Sequence, residues 1–183
     1  MQTIKRQWVA YFSQTGAEIA DVCEAIGRWP TRIITNKRPS HLRTIDPRIV
    51  EHGYLEISNK PTYDEYHDIL QYLKDPIVTL HGWLRIMPPG VCDAFEIYNG
   101  HPGLITKYPE LKGKDPQVKA FSAQYDEIGS VIHKVVAGVD EGPVLAESSI
   151  YIGGFSLEDY YKELKILSLE LWEDFLRKRL NIE

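Results

Sequence analysis

Short apolar segments alternate with helical patterns along this chain, and that alternation constrains the fold more than any other feature. Apolar residues recur at helical spacing after residue 16, after a Thr62–Glu65 capping box and again after Ser156. Between these helices we predict buried strands at residues 8–12, 32–35, 77–80 and 95–98, a weaker strand at 54–57, and a later strand pair at 130–136 and 144–152. Strands that alternate with helices predict a mostly parallel sheet covered on both faces, which is an α/β fold.

Length and composition fit one globular unit. The chain has 183 residues, of which 43% are hydrophobic and 26% are charged, so it can bury a sizeable core. We expect a single domain over residues 1–183, with three α/β/α layers around a twisted sheet. No apolar run is long enough to span a bilayer and no signal-peptide pattern precedes the first strand, so we expect a cytoplasmic protein with no membrane partner.

Charge and cysteine usage argue against several further classes. The net charge of −5 argues against an extended nucleic-acid surface. Cys23 and Cys92 are expected to be buried thiols rather than a disulfide. No set of histidines, cysteines and carboxylates has ligand spacing, so we expect no metal. The one basic cluster is interpreted as a solvated loop face, and it contains Lys37, Arg38, Arg43 and Arg48.

Polar residues follow the predicted strands at the edge where ligands bind in parallel sheets. Asn99 and His101 lie two apart in an extended segment, so their side chains project to the same side. An amide beside an imidazole suits the stabilisation of an oxyanion in acyl transfer, although both residues are also common in loops. Asp140 lies between glycines in a later loop, where a simple turn is the alternative. Spacing alone leaves open whether the three side chains meet.

The motifs Asn99-x-His101-Pro102 and Asp140-x-Gly142-Pro143, separated by about forty residues, resemble the folate-dependent formyltransferase family. The similarity extends from residue 8 to residue 150. It includes Tyr108-Pro109, His133, the segment at 80–88, and the segments at 13–16 and 35–37. That family includes glycinamide ribonucleotide, methionyl-tRNA and sugar-amine formyltransferases. The resemblance implies a Rossmann-related formyltransferase fold and transfer of a formyl group from 10-formyltetrahydrofolate to a primary amine of a small molecule.

The resemblance also implies residue roles. Asn99 would bond the formyl oxygen, His101 held by Asp140 would stabilise the charge or supply a proton, and Asp140 would accept the proton of the amine. His133 is expected to support or pack against the site rather than to react. Folate would be bound mainly through backbone groups of Arg85, Ile86, Met87, Val135, Val136, Ala137, Gly138 and Val139. The acceptor would contact Ser13, Gln14, Thr15, Gly16, Glu18 and His81.

Departures from the family pattern bear on the acceptor. Gly100 replaces an apolar residue, which predicts a less constrained backbone there. His81 replaces a small residue, and either core packing or an acceptor contact would explain it. Ala17 and Glu18 replace the Ser and Asn that bind phosphate in the glycinamide branch, and a carboxylate repels phosphate. The segment 108–116 begins like the glycinamide branch, whereas its Gly113-x-x-Pro116 is similar to the other two.

Several functions therefore stay open. A nucleotide, an amino-sugar nucleotide and an aminomethyl nucleobase all fit as acceptors, and phosphoribosylglycinamide formyltransferase of purine synthesis is the main alternative. The methionyl-tRNA branch and the formyltetrahydrofolate hydrolases carry an added domain, which makes both less expected. A non-catalytic folate-binding module is the alternative of a different class. The expected partners are the folate and the amine, with a homodimer left open.

Overall fold

Seven strands form a single sheet in the computed structural model, which describes residues 5–36 and 44–183. The strand order is β3-β2-β1-β4-β5-β6-β7, with β1 to β5 parallel and β6 and β7 antiparallel to their neighbours. The strands are β1 Gln7–Phe12, β2 Arg32–Thr35, β3 Leu55–Glu56, β4 Pro76–Leu80, β5 Glu96–His101, β6 Glu127–Lys134 and β7 Val144–Tyr151. The predicted α/β fold with a mostly parallel sheet is confirmed.

Helices cover the sheet: α1 Ala17–Ile26, α2 Pro47–His52, α3 Tyr63–Leu70, α4 Pro89–Ala94, α5 Pro116–Ser122 and α6 Leu157–Leu180, with a 3₁₀ turn at Pro109–Leu111. The predicted capping boxes at Thr62 and Ser156 begin α3 and α6. We did not predict α2, α4 and α5, which have only six, six and seven residues. Each begins with a proline, and helices this short carry too few apolar repeats for a periodic signal.

The sheet has a hydrophobic core on each face, which gives the three predicted layers. Residues from α1 and α6 pack with one set of strand residues, whereas α3 and α4 pack with the alternating set. In β5, Tyr98 belongs to the first core and Ile97 to the second. Successive strand residues point to opposite faces, so Gly100 faces α6 and Asn99 and His101 face away from it.

Strand β5 is longer than predicted and contains the Asn99–His101 motif. We predicted that the strand ends at residue 98 and that an extended segment with Asn99 and His101 follows it, but residues 98–101 pair with residues 131–134 of β6. The expectation that Gly100 relaxes the backbone is therefore wrong. A glycine is required there because an added Cβ would lie 2.6 Å from the indole nitrogen of Trp172 on α6.

Other predictions about side chains have mixed outcomes. Cys23 and Cys92 are free and buried, as expected. Three of the four residues in the predicted basic cluster lie outside the described part of the chain, namely Lys37, Arg38 and Arg43. Arg48 is paired with acidic groups on α1 and at the start of α2 rather than solvated alone. Within residues 5–36 and 44–183, no helix has both the length and the apolar composition needed to cross a bilayer.

The carboxyl ends of β1, β4 and β5 lie side by side at one edge of the sheet. Between β1 and β4 the chain order reverses, and open α/β sheets bind ligands beyond such a point. The loops after these two strands are joined by hydrogen bonds. The N–H of Ser13 donates to the carbonyl of Gly82 (3.2 Å), and the N–H of Leu84 donates to the Ser13 hydroxyl (2.9 Å).

Candidate active site

The structure brings Asn99, His101 and Asp140 together, as the motif predicts. Asn99 and His101 project from the same face of β5, and Asp140 reaches them from the loop between β6 and β7. The Asp140 carboxylate oxygens lie 3.5 Å from the Asn99 amide nitrogen and 3.4 Å from Nδ1 of His101. We refer to these three residues with His133 as the Asp140 cluster.

His133 and a loop N–H complete the surroundings of the carboxylate. Nε2 of His133 lies 3.1 Å from Oδ1 of Asp140, closer than the 3.4 Å between Nδ1 of His101 and Oδ2. The backbone N–H of Gly113 donates to Oδ2 at 2.7 Å. His133 therefore supports Asp140 directly, in agreement with the supporting role expected from the sequence.

Backbone carbonyls orient both imidazoles. Nε2 of His101 lies 2.8 Å from the carbonyl of Leu111, and Nδ1 of His133 lies 3.1 Å from the carbonyl of Lys134. Because a carbonyl only accepts, we assign a proton to Nε2 of His101. Nδ1 of His101 then faces Asp140, whereas Nε2 of His133 lies between the Asp140 carboxylate and the Asn99 amide nitrogen, 3.2 Å from the latter.

Burial and charge act in opposite directions on these groups. Burial lowers the pKa of His101 below 6.5, and the attraction of Asp140 only partly opposes this. Burial alone would raise the pKa of Asp140. The hydrogen bond from His133, the charge of His101 and the N–H of Gly113 outweigh that effect and leave the pKa below 3.8. Asp140 is therefore the resident negative charge of the cluster near neutral pH.

The loop that carries Asp140 is fixed by a close backbone approach. Asp140 has a left-handed backbone with φ of 53°, a conformation for which Asp is enriched among non-glycine residues. Two residues later, a Cβ on Gly142 would lie only 1.6 Å from the carbonyl oxygen of Lys134. The Lys134 N–H also donates to the carbonyl of Pro143 at 3.0 Å. The Asp-x-Gly-Pro motif thus holds Asp140 over the end of β6.

A cavity of about 350 Å³ opens on the opposite side of β5, at the reversal point between β1 and β4. The α1 side of its wall contains Gln14, Thr15, Gly16 and Glu18, and the β4 side contains His81. Five of the six residues predicted to contact the acceptor thus line it. The exception is Ser13, whose hydroxyl instead holds the loop after β4. Gly100 and Pro102 also line this cavity, which places it beside the Asn99–His101 motif.

A second histidine–carboxylate pair forms part of the cavity wall. Nδ1 of His81 lies 2.7 Å from a Glu18 carboxylate oxygen, and Nε2 lies 2.8 Å from the Thr79 hydroxyl. The Trp8 indole N–H donates to the same hydroxyl at 2.8 Å. The His81 ring is buried and packs 4.5 Å from the Trp172 ring, centroid to centroid. We refer to Glu18, His81, Thr79 and Trp8 as the Glu18 chain.

The two segments predicted to bind folate differ in exposure: one precedes β5 and the other lies between His133 and Asp140. The side chains of Ile86 and Val139 are 71% and 50% exposed, whereas Met87 is buried at 2%. The Arg85 guanidinium donates to the carbonyl of Leu84 and to the backbone and side-chain oxygens of Asn59. The rest of the second predicted segment, Val135, Val136, Ala137 and Gly138, is half-buried or exposed.

The family model described as "Formyl transferase" matches residues 30–171, well over half of the chain. The chain belongs to the formyl transferase family. The matched region of this formyl transferase contains the whole Asp140 cluster but begins after the loop and helix that carry Glu18.

Curated relatives carry two different names. Phosphoribosylglycinamide formyltransferase of Escherichia coli K12 is 30% identical over 105 residues, which is 55% of this chain and 48% of the relative. Methionyl-tRNA formyltransferase of Bifidobacterium longum is 30% identical over 107 residues, which is 57% of this chain and 32% of the relative. This formyl transferase therefore spans about half or less of these two proteins.

Solved structures share the fold. Glycinamide ribonucleotide transformylase 1 of Geobacillus kaustophilus superposes with a TM-score of 0.78 at 24% identity, covering 97% of this chain and 100% of that one. At this level of identity the similarity shows the fold alone. It agrees with the Rossmann-related formyltransferase architecture expected from the motifs.

Several residues of the site carried no usable sequence signal. Leu111 and Gly113 contribute only backbone atoms, so their side chains could not indicate the role. The α6 wall of the cavity contains Tyr161, Lys165 and Ser168, which fall among the polar positions of an amphipathic helix. Among the described residues of this formyl transferase, no group of three or more His, Cys, Asp or Glu side chains could hold a metal ion. A metal-free reaction stays a prediction.

Proposed function

We propose that this formyl transferase moves a formyl group from 10-formyltetrahydrofolate to a primary amine of a small molecule. The observation that carries the proposal is the convergence of Asn99, His101 and Asp140, with His133 beside them, at the edge of the sheet where ligands bind. The family match supports the same reaction.

The residues of the Asp140 cluster suit three tasks in formyl transfer. The half-buried Asn99 can donate an amide N–H to the formyl oxygen as that oxygen gains negative charge. Asp140 can accept a proton from the attacking amine, and His101 can hold or return a proton through Nδ1, because its other nitrogen is occupied by Leu111. His133 keeps Asp140 in place throughout.

The two predicted folate segments fit a flat, partly apolar ligand. Ile86 and Val139 expose apolar side chains, and because Met87 is buried, its contribution would come from the backbone. The folate would supply the formyl group. The Arg85 guanidinium already donates hydrogen bonds to Asn59 and Leu84. We therefore expect it to stabilise the fold rather than to contact the ligand.

Three alternatives differ in what the cluster would do. Phosphoribosylglycinamide formyltransferase of purine synthesis is favoured by the names of relatives, whereas the carboxylate of Glu18 in the cavity opposes a phosphate there. A formyltetrahydrofolate hydrolase would use the cluster with water as acceptor. A non-catalytic folate-binding module is disfavoured, because binding alone would not require a carboxylate such as Asp140 between His101 and His133.

The test is incubation with 10-formyltetrahydrofolate and a panel of amines that includes glycinamide ribonucleotide, amino-sugar nucleotides and aminomethyl nucleobases. Mass spectrometry would detect the gain of one formyl group on the acceptor. Asn99→Asp serves as the matched inactive control because it preserves shape but removes the amide donor. Formate released without any acceptor would indicate the hydrolase, and binding without turnover would indicate the folate-binding module.

The folate proposal has its own test in Arg85→Ala. Reduced folate should raise the melting temperature of the wild type, because the ligand binds only the folded state. We expect the variant to lower the melting temperature without ligand but to change the folate dissociation constant by less than about threefold, which is under about 1 kcal/mol. A much larger loss of affinity would show that the guanidinium itself contacts the folate.

A further inference from the structure

The Glu18 carboxylate is incompletely paired although it lies in the cavity wall. One of its oxygens contacts Nδ1 of His81, and the side chain is 35% exposed. No other hydrogen bond or ion pair from the described residues reaches this carboxylate. Its second oxygen is therefore available to a ligand in the cavity.

Hydrogen bonds along the Glu18 chain fix the position of the His81 ring behind Glu18. The Trp8 indole is a donor only, so it occupies a lone pair of the Thr79 hydroxyl. The Thr79 hydroxyl keeps one proton and a second lone pair, and either can pair with Nε2 of His81. Nδ1 of the same ring then faces the Glu18 carboxylate. Glu18 is the acidic group of the chain and the member that lines the cavity beside His81.

The remaining wall offers little to neutralise the charge of Glu18. Lys165 is the one cationic residue among the described residues that line the cavity. Its side chain is 69% exposed at the rim, and its ammonium lies 3.9 Å from Asp21. A positively charged group that enters the cavity would therefore meet Glu18 as its closest available partner, whereas an anion would be repelled.

The position of the cavity indicates which part of the acceptor lies in it. Gly100, which lines the cavity, faces α6, whereas Asn99 and His101 face the other side of the sheet. The nitrogen that attacks the formyl carbon must be uncharged and must reach the Asp140 cluster. A charge that Glu18 binds therefore belongs to a different group of the same acceptor.

We propose that Glu18, positioned by His81, binds a cationic group of the acceptor other than the amine that is formylated, so that the cavity selects diamine-like acceptors. The acceptor role of the cavity rests on the proposed formyl transfer. The binding of a cation by the cavity does not, and it can be measured without folate.

The first experiment measures binding alone by calorimetry with three probes that share a four-carbon chain: 1,4-diaminobutane, the uncharged 1-butanol and 4-aminobutyl phosphate. We expect the wild type to bind the diamine most tightly, and Glu18→Gln to weaken that binding about tenfold, or about 1.4 kcal/mol. The matched control is Glu24→Gln, which removes the same charge from α1 at a residue that pairs with Arg48 outside the cavity. Equal weakening in both variants, or no diamine preference in the wild type, would overturn the inference.

The second experiment measures formyl transfer to the diamine and to 4-aminobutyl phosphate. The wild-type ratio of kcat/KM for the diamine over the phosphate should fall about tenfold or more in Glu18→Asn, while Glu24→Gln keeps the wild-type ratio. Formylation with no dependence of this ratio on Glu18 would overturn the inference and leave formyl transfer intact. Diamine binding that depends on Glu18, with no amine formylated, would overturn formyl transfer and support the cation site.

The third experiment tests His81 as the positioning residue. His81→Phe keeps a ring against Trp172 but removes the donor to Glu18, and we expect it to lower the diamine preference several-fold. His81→Asn retains an amide N–H near the place of Nδ1 and should recover most of that preference. If both variants lose overall kcat alike and keep the ratio, His81 is only a packing residue and this part of the inference fails.

Discussion

The Asp140 cluster and the Glu18 chain both pair a carboxylate with histidine, yet they differ in how fully the carboxylate is satisfied. Asp140 is approached by Asn99, His101, His133 and the N–H of Gly113, and its side chain is only 10% exposed. Glu18 has one contact, to His81, and is 35% exposed. A buried charge is costly unless it is fully paired, whereas a partly exposed carboxylate can keep one oxygen free to bind a ligand. The first arrangement suits reaction chemistry and the second suits recognition.

Replacement of Asp140 should give the largest effect, and it tests whether the Asp140 cluster is the catalytic one of the two regions. Asp140→Asn removes the charge that both imidazoles face, and we expect kcat/KM for formyl transfer to fall by about 10²-fold or more. Folate binding should survive, as measured by calorimetry. The double variant His101→Ala/Asp140→Ala should be far less impaired than the product of the single effects, since residues that act as one unit are non-additive. Fully additive effects would contradict a joint role.

A second prediction concerns the strand that separates the two regions. In Gly100→Ala the new Cβ would lie 2.6 Å from Nε1 of Trp172, whose ring also packs against His81. We expect the free energy of unfolding to fall by about 1–3 kcal/mol, as measured by urea denaturation. Gly153→Ala is the control, because an added Cβ there meets nothing within 4 Å. Equal stability of both variants would show that the indole moves aside freely.

The third prediction uses the lowered pKa of His101. A histidine whose folded pKa lies below 6.5 takes up its proton more readily when unfolded, so stability is greatest above pH 6.5 and falls as the pH drops below it. The slope contributed is at most about 1.4 kcal/mol per pH unit. The lowered pKa of Asp140 acts only below about pH 3.8, so it leaves this window unaffected.

Urea denaturation at pH 5, 6 and 7 measures this slope. His101→Gln should flatten the rise in stability between pH 5 and pH 7, whereas the exposed His52→Gln should retain it. An unchanged slope in the His101 variant would show that His101 is not the group that takes up the proton.

Much of the fold could be predicted because its signals are local. The strands that became β1, β2 and β4 and the capping boxes of α3 and α6 were identified within about two residues. The extension of β5 to His101 could not be predicted, because it depends on pairing with β6, thirty or more residues later in the chain. The three helices of six or seven residues are held by packing rather than by periodicity.

The candidate site, like the fold, could be predicted only where the sequence carries a local signal. The resemblance of two motifs to the family indicated Asn99, His101 and Asp140, whose side chains the structure brings together. The partners Leu111 and Gly113 act through backbone atoms, which any residue could supply. His81 was left between packing and an acceptor contact. The structure shows a buried ring that packs on Trp172 and contacts Glu18, and its contact with the acceptor stays a prediction.

The smallest expected effect is the stability change in Glu18→Gln. It tests whether Glu18 contributes less to the stability of the fold than Asp140 does. Glu18 lies in the first turn of α1, where a carboxylate interacts favourably with the helix dipole by about 0.3–1 kcal/mol. Because one oxygen is unpaired and the amide retains an acceptor for His81, we expect the free energy of unfolding to change by less than about 1 kcal/mol. Asp140→Asn should lower it by more, since about 1–3 kcal/mol is lost when a buried hydrogen-bonding group loses its partner. Urea denaturation of both variants at pH 7 measures the difference. A loss in Glu18→Gln as large as that in Asp140→Asn would mean that Glu18 is as fully committed to the fold as Asp140, and the contrast between the two carboxylates would then be lost.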